Sequence, residues 1–315
     1  MTFLSLYTWG RNLLMNERLK SIVWLRKLVR FIRMFPQFFE NGIINVYKFV
    51  KWFLYTILHI YKIASNKSLK GIDIDKLLIV GNGPSIADFP LKRISEIKNM
   101  DIMCLNYFPS KDERFWLIKP AFLCLMDSAF FNKASPEAEI EKKILFDILN
   151  RVDWHMYLVC KMGCTLPISN SNLQYIFLSD YTYDGMLFRK KIYSKNLGTY
   201  RIQNVVQGGL FLGTTLKARA IYLSGVESSY LNVSVSNDNE IYLNMSHSYD
   251  TKKVKLNNEN IKYIHEYIRA IYFTFLGYYI SKEYADAQKT EIYNLTQDSL
   301  IDVFRKKKVS ELIDN

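Results

Sequence analysis

Residues 77–88, Leu77-Leu78-Ile79-Val80-Gly81-Asn82-Gly83-Pro84-Ser85-Ile86-Ala87-Asp88, decide how the chain is read. Four consecutive apolar residues describe a strand buried on both faces. It ends at Gly81, which with Gly83 lets the backbone approach a ligand closely. Pro84-Ser85, with Asp88 three residues after the serine, has the composition of a helix start. Such a strand–turn–helix directs unpaired N–H groups and a positive helix end at an anion above the strand. The run is neither the six-residue dinucleotide fingerprint nor a P-loop with its lysine. An ordinary strand-to-helix turn shares its outline, so the pattern by itself makes Gly81, Asn82, Gly83 and Ser85 candidates for nucleotide contact.

Outward from this turn, strand signals fall at 77–81, 101–106, 121–126, 156–160, 174–178, 202–206, 220–224 and 290–294. Helical stretches lie between them at 86–98, 136–151 and 208–217. That alternation predicts a single α/β domain around a Rossmann-like parallel sheet, with ligand at the C-terminal strand ends. Residues 71–315 form this domain. Between Val226 and about Asn260 the chain turns polar and tyrosine-rich, as a lid over the site would. From Glu259 to Tyr284 a long aromatic helix follows, read as packing. Hydrophobic residues make up 49% of the 315, ample for one core. Cys104, Cys124, Cys160 and Cys164 are few and lie mostly in apolar stretches, the pattern of reduced thiols in the cytosol.

The charge is lopsided. Residues 1–70 carry twelve Lys or Arg against Glu17 and Glu40, so +10 of the net +12 sits in that segment. Leu19, Ile22, Val23, Leu25, Leu28, Val29, Ile32 and Phe35 alternate with basic residues at helical spacing, and a second apolar stretch, Ile43 to Tyr61, is interrupted by Lys48 and Lys51. No uncharged run reaches the length of a bilayer span, and no signal-peptide core is visible. Residues 1–70 are therefore expected to be a basic amphipathic helical arm associating with a membrane interface. A nucleic-acid arm would use the same charges, but the density of Leu, Ile, Phe and Trp favours lipid. Packing on the chain itself or in a homo-oligomer is the structural alternative. Residues 64–76, rich in Ser, Lys and Asn, read as the linker.

Gly-Asn-Gly-Pro-Ser after a hydrophobic strand resembles the opening of the bacterial lipooligosaccharide sialyltransferases of glycosyltransferase family 42, and of the related flagellin-modifying motility accessory proteins. Further blocks agree in order. They are Asp101-Ile102-Met103-Cys104-Leu105-Asn106-Tyr107-Phe108; Gln207-Gly208-Gly209-Leu210-Phe211 with Ala220-Ile221-Tyr222-Leu223-Ser224-Gly225-Val226-Glu227; Ser246-His247-Ser248; and Glu291 to Ile301. The similarity covers about residues 75–250 and 288–305. It implies a GT-A-like variant of the nucleotide-binding fold, with Asn106, Gln207, Gly208, Ser224 and Gly225 near the nucleotide and tyrosine hydroxyls on its phosphate. Tyr230 and Tyr242 are the nearest tyrosines to those positions.

Sugar transfer requires a base for the acceptor hydroxyl and stabilisation of the leaving phosphate. Of His59, His155, His247 and His265, His247 has the context of a base, beside Ser246, Ser248, Tyr249 and Asp250. No metal or cofactor is expected: Asp73-Ile74-Asp75 has an acidic spacing, but precedes the first strand and so lies at the wrong sheet end. Asp127 closes the third strand where the resembled family has an Asn, and an acid there would accept from ribose hydroxyls or a cytosine amine. The family's Arg-x-Thr-Ser-Gly run is replaced by Val205-Val206-Gln207-Gly208, which leaves Arg201 as the nearest cation. Taken together, these features lead us to expect an inverting glycosyltransferase at the cytoplasmic face of a bacterial inner membrane. It would move a nonulosonic acid from a CMP-activated donor to a lipopolysaccharide or lipid-linked glycan. Another nucleotide sugar, or a non-catalytic nucleotide-sugar-binding assembly protein, remains the alternative.

Overall fold

The computed structural model describes residues 23–59, 69, 71–132, 135–246, 248, 251–256 and 261–313. The chain forms two compact units. One comprises residues up to Leu58 with Tyr183–Arg189, and the other His59–Thr182 with Lys190–Asn315.

In the first unit, helix α1 runs unbroken from Val23 to Leu58. Pro36 and Gly42 lie within it rather than ending it, so from Val23 onward the arm's two apolar stretches belong to one helix. Trp52 is buried against Tyr183, with ring centroids 5.9 Å apart, and Phe49 meets Phe188 at 5.3 Å. Lys48 pairs with Asp184 at 3.0 Å, and Asn45 Oδ1 accepts from the Met186 amide at 2.7 Å. Residues 19–22, most of the linker (60–68 and 70) and 257–260 of the lid lie outside the described residues.

The second unit is built on an eight-stranded sheet: β1 (Lys76–Val80), β2 (Met100–Leu105), β3 (Phe122–Cys124), β4 (Met156–Lys161), β5 (Leu173–Leu178), β6 (Ala220–Ser224), β10 (Glu291–Asn294) and β11 (Arg305–Lys306). Its order is β11-β10-β6-β1-β2-β3-β4-β5, and every pairing is parallel. This is the expected Rossmann-like α/β architecture. Leu77, Leu78, Ile79 and Val80 are fully buried, because helices cover both faces of the central strand. Each such side chain contributes roughly 1.5–3 kcal/mol of burial. Leu78 and Val80 join a core with Ile102, Cys104, Leu123, Leu125, Leu145 and Leu158 on one side.

Helix α2 (Pro136–Asn150) starts where Pro136 sits at the first turn and the Ser135 side chain accepts from the Ala138 amide. The opposite face is covered by α3 (Val205–Thr215) and α4 (Ile264–Gln288). Helix α3 lies close to the sheet because Gly209 and Gly213 face Ile79, Met103, Ile221 and Leu77, leaving no room for a side chain.

Two expectations are corrected. The stretch 86–98 is not one helix but a 3₁₀ turn, Pro84–Ile86, followed by Leu91–Ser95. The Arg114 guanidinium takes the carbonyls of Ile86, Ala87 and Phe89, so these never enter a helical ladder. The stretch 202–206 is not a strand: Asn204 is extended but caps α3 through its side chain, and the helix begins at Val205. The lid expected at 226–260 holds a separate antiparallel sheet, β7 (Val233–Val235), β8 (Ile241–Ser246) and β9 (Thr251–Lys255). Leu243 anchors it on Tyr267 and Ile271 of α4.

Replacing Gly213 with Leu should overpack the α3–sheet contact, since a Cβ there already falls 2.8 Å from both Ile221 Cδ1 and Leu77 Cδ2. Urea denaturation of Gly213→Leu should show about 1–3 kcal/mol less stability than wild type. Equal stability would contradict the close seat of α3.

Candidate functional site

The sheet's connection order reverses between β6 and β1, so the loops leaving these neighbours diverge and open a crevice at their C-terminal ends. A cleft of about 540 Å³ occupies this place. Its floor is a backbone contact between the two loops: the Gly81 amide donates to the Ser224 carbonyl at 2.8 Å and the Gly83 amide to the Gly225 carbonyl at 2.9 Å. Only glycine fits. Gly225 has φ +68°, and a Cβ on Gly81 would lie 2.2 Å from the Gly225 oxygen.

Glu227 reinforces the turn from the β6 side. Its Oε1 accepts from the Ser85 amide at 2.8 Å, and its Oε2 is buried against Gly83 without a partner among the described residues. The Glu227 carbonyl accepts from the Leu300 amide, and the Val226 amide donates to Thr296 Oγ1. The block from Glu291 to Ile301 thus supports the cleft from beneath.

Two asparagines present complementary groups. Asn82 Nδ2 donates to the Leu105 carbonyl at 3.2 Å, which leaves its Oδ1 as the acceptor. Asn106 adopts the left-handed region at φ 48°, which an Asn tolerates, and its Oδ1 accepts from the Met126 amide at 3.4 Å, leaving Nδ2 as the donor. Asp127 also lines the cleft, with Oδ1 accepting from the Ala129 amide at 2.9 Å.

Tyr230 completes one wall, its phenol held above the ordinary tyrosine range by burial. The Tyr267 hydroxyl holds the Tyr230 carbonyl at 2.7 Å, and Tyr267 itself is pushed up to about 12 by burial.

Of the residues singled out in the sequence, Gly81, Asn82, Gly83, Asn106, Asp127, Gly225 and Tyr230 line the cleft. Others are placed elsewhere. The Ser85 side chain is exposed behind the turn, and only its amide takes part, through Glu227. Ser224 is buried beneath the cleft and contributes its carbonyl. Gln207 is fully buried, donating to the Thr274 carbonyl and accepting from the Gln203 amide, so it ties α3 to α4. Gly208 packs on Met126. Tyr242 lies outside the cleft: strand alternation turns it away from Leu243, and its hydroxyl donates to Glu240. Arg201 sits over the Phe273 ring at 4.7 Å, and among the described residues the cation lining the cleft is Lys161. His247, with Tyr249 and Asp250, lies outside the described residues. The Ser248 amide, however, donates to the Asn82 carbonyl at 3.0 Å. None of the other three histidines lines the cleft, and Asp75 pairs with Arg219 at the far end of the sheet.

Sequence reasoning missed Lys161, Asn204, Ser228 and Tyr278. Asn204 before an apolar run is a helix-cap signal, obscured by reading that run as a strand. Gly277-Tyr278 inside an aromatic helix marks a close approach, because glycine is costly there unless something needs the space.

No family model matches the chain, and the curated proteins contain no match. Among solved structures, it is similar to the sialyltransferase CstII from Campylobacter jejuni in complex with the substrate analogue CMP-3FNeuAc, at 18% identity and TM-score 0.41, covering 74% of this chain and 86% of that one. It is also similar to CST-II with a trisaccharide acceptor and CMP, at 18% identity and TM-score 0.42, covering 76% and 89% respectively. A third similar structure is an alpha-2,3-sialyltransferase from Campylobacter jejuni in apo form, at 14% identity and TM-score 0.37, covering 77% and 82%.

Gly81→Ala should force the β1 and β6 loops apart, because the new Cβ meets main chain rather than a flexible side chain. Thermal and urea denaturation should register a loss of about 1–3 kcal/mol. An unchanged midpoint would show that the two loops are not in fixed contact.

Proposed function

We propose that the chain is a sialyltransferase-like glycosyltransferase, using a CMP-activated nonulosonic acid such as sialic acid as donor and a lipopolysaccharide or lipid-linked glycan as acceptor. The observation that carries this reading is the glycine turn at the sheet's switch point, flanked by the amides of Asn82 and Asn106. The paired acceptor and donor amides suit a base or ribose, and the first N–H groups of α3, at Val205 and Val206, suit a phosphate, since the amides of Gly81, Gly83 and Ser85 are already bonded. The ordered sequence blocks resembling family 42 add the nucleotide class.

In the proposed reaction the acceptor hydroxyl oxygen attacks the anomeric carbon and its proton passes to His247. The bond from that carbon to the phosphate oxygen breaks with inversion, and CMP departs. His247 is taken from the resemblance, in which a His followed by Ser serves as base; the neighbouring Ser248 donates its amide to the Asn82 carbonyl. The proposed mechanism is metal-independent, with Asp127 and Glu227 holding the main-chain amides of Ala129 and Ser85.

A peripheral site at the cytoplasmic membrane face is part of the proposal. No helix of the described residues is long and apolar enough to cross a membrane. Ile43, Val46, Tyr47, Val50, Phe53, Leu54 and Ile57 recur every three to four residues on α1 and are exposed, Ile43 at 68%. With the basic excess of residues 1–70, this stripe suits an anionic lipid surface.

A panel of CMP-, UDP- and GDP-sugars, assayed for donor hydrolysis and transfer in excess EDTA, tests the enzymatic reading. Turnover of a CMP-linked nonulosonic acid is expected, and His247→Ala should lower it by about 10²-fold or more with CMP affinity retained. Turnover only after Mn²⁺ addition would overturn metal independence, and wild-type rates in His247→Ala would remove that residue.

Membrane association is tested by sedimentation with anionic vesicles. The wild type should bind and be only partly released by salt, which screens charge within about 10 Å at 0.1 M but leaves the apolar contribution. Phe53→Glu with Ile57→Glu should lose the salt-resistant fraction while keeping donor hydrolysis in solution. Wild-type protein that ignores the vesicles and instead elutes as an oligomer dispersed by the same pair would assign the stripe to self-association.

A further inference from the structure

The Asn204 side chain is held from three directions, and its orientation follows from hydrogen-bond logic. At the start of α3, its Oδ1 lies 3.1 Å from the Gln207 amide nitrogen. A main-chain N–H only donates, so the side-chain atom facing it must be the oxygen. The NH₂ group is then fixed on the other side, 3.0 Å from the Tyr278 hydroxyl oxygen and 3.4 Å from that of Tyr230. An amide NH₂ accepts nothing, so both phenol oxygens accept from it. Each phenol's own proton must therefore point elsewhere. Tyr278 has Ser228 Oγ at 3.3 Å, whereas no acceptor among the described residues faces the Tyr230 O–H. All four residues line the cleft, beside the Gly81–Gly83 turn.

We propose that Asn204 is a positioning residue that turns the Tyr230 O–H, and with Ser228 the Tyr278 hydroxyl pair, into the cleft as donors to the phosphate of a bound nucleotide. This rests on the reading of the cleft as a nucleotide site, and it assigns the second hydroxyl to α4 rather than to Tyr242 on the lid sheet. Ser228 is itself held in place: it is buried and sits in the left-handed region at φ 55°, a strained conformation for a serine. Burial also keeps both phenols protonated, by holding them above the ordinary tyrosine range.

Two substitutions separate this role from helix capping. Asn204→Ser and Asn204→Asp both preserve a good cap on α3, so the fold should persist. Both remove the NH₂ group; the serine adds no charge, while the aspartate gives the phenols an acceptor to turn towards. Binding is measured by calorimetry with CMP and, as the probe lacking phosphate, cytidine.

CMP affinity should fall about tenfold to a hundredfold in both variants, the scale of one hydrogen bond to a charged group, with cytidine affinity unchanged. Tyr230→Phe should weaken CMP comparably, and adding Asn204→Ser to it should cost less than it does alone. Equal losses for CMP and cytidine, or full additivity with Tyr230→Phe, would overturn the positioning role. If the wild type binds CMP and both Asn204 variants match it, the inference fails while the nucleotide reading stands. Failure of the wild type to bind CMP, UMP or GMP would sink both.

Discussion

The site depends on how closely two strand ends approach one another. Where β1 and β6 emerge side by side, their loops diverge, and the amides of Gly81 and Gly83 must find partners before the chains separate. They find them in the Ser224 and Gly225 carbonyls, at a separation that excludes any side chain on Gly81. That contact fixes the positive φ of Gly225, and the chain then returns Glu227 to the Ser85 amide. Thr296 and Leu300, far along the chain, hold the same loop from below. The cleft is therefore a product of the assembled sheet, and the segment after β10 is as necessary to it as the glycine turn.

The features legible in sequence were those generated by strong periodicity or by glycine. The central strand could be read because parallel strands covered on both faces become uninterrupted apolar runs, and Leu77 to Val80 are fully buried. The turn could be read because only glycine permits the approach. Where reading failed, a long-range partner overrode local preference. Residues 86–98 have a helical outline, yet Arg114, distant in sequence, removes the carbonyls a helix would need. Asn204 lay within an apparent strand because Val205 and Val206 are β-branched, and propensity yields to a cap that begins a tightly packed helix. Tyr242 was misjudged for a different reason: the lid is a sheet with a period of two, so one residue of register decides which face a side chain occupies.

The same register explains why, among its described residues, the lid sheet itself reaches the cleft only through Leu243. Leu243 enters it, while Tyr242 and Lys253 stack on the outer side, with Glu240 bonded to the tyrosine hydroxyl. The inner face is apolar because it must pack on Tyr267 and Ile271 of α4. Much of the polar lining then stands on the rigid α/β scaffold, in Asn82, Asn106, Asn204 and Tyr278, while Ser228 and Tyr230 come from the loop between β6 and the lid sheet. This arrangement fixes geometry through buried helices and strands rather than through a three-stranded sheet of marginal size.

Charge in the cleft points the same way. Among the described residues, Asp127 and Glu227 oppose one lining cation, Lys161, so what these residues offer an anion is mostly not basic side chains. The attractive groups are dipoles: the first N–H groups of α3, the Asn106 side-chain amide and phenol hydroxyls. Such dipoles discriminate by charge density. Under the proposed transfer, the donor's phosphate diester carries one negative charge, and the departing phosphate gains a second as the sugar bond breaks. Preorganised donors strengthen as that charge develops, which lowers the barrier more than it tightens the ground state. Strong cations would hold the fully charged product as well, and slow its release. Placing the anion against oriented N–H and O–H groups, with acids nearby, suits a site that must stabilise a charge briefly and then let it leave.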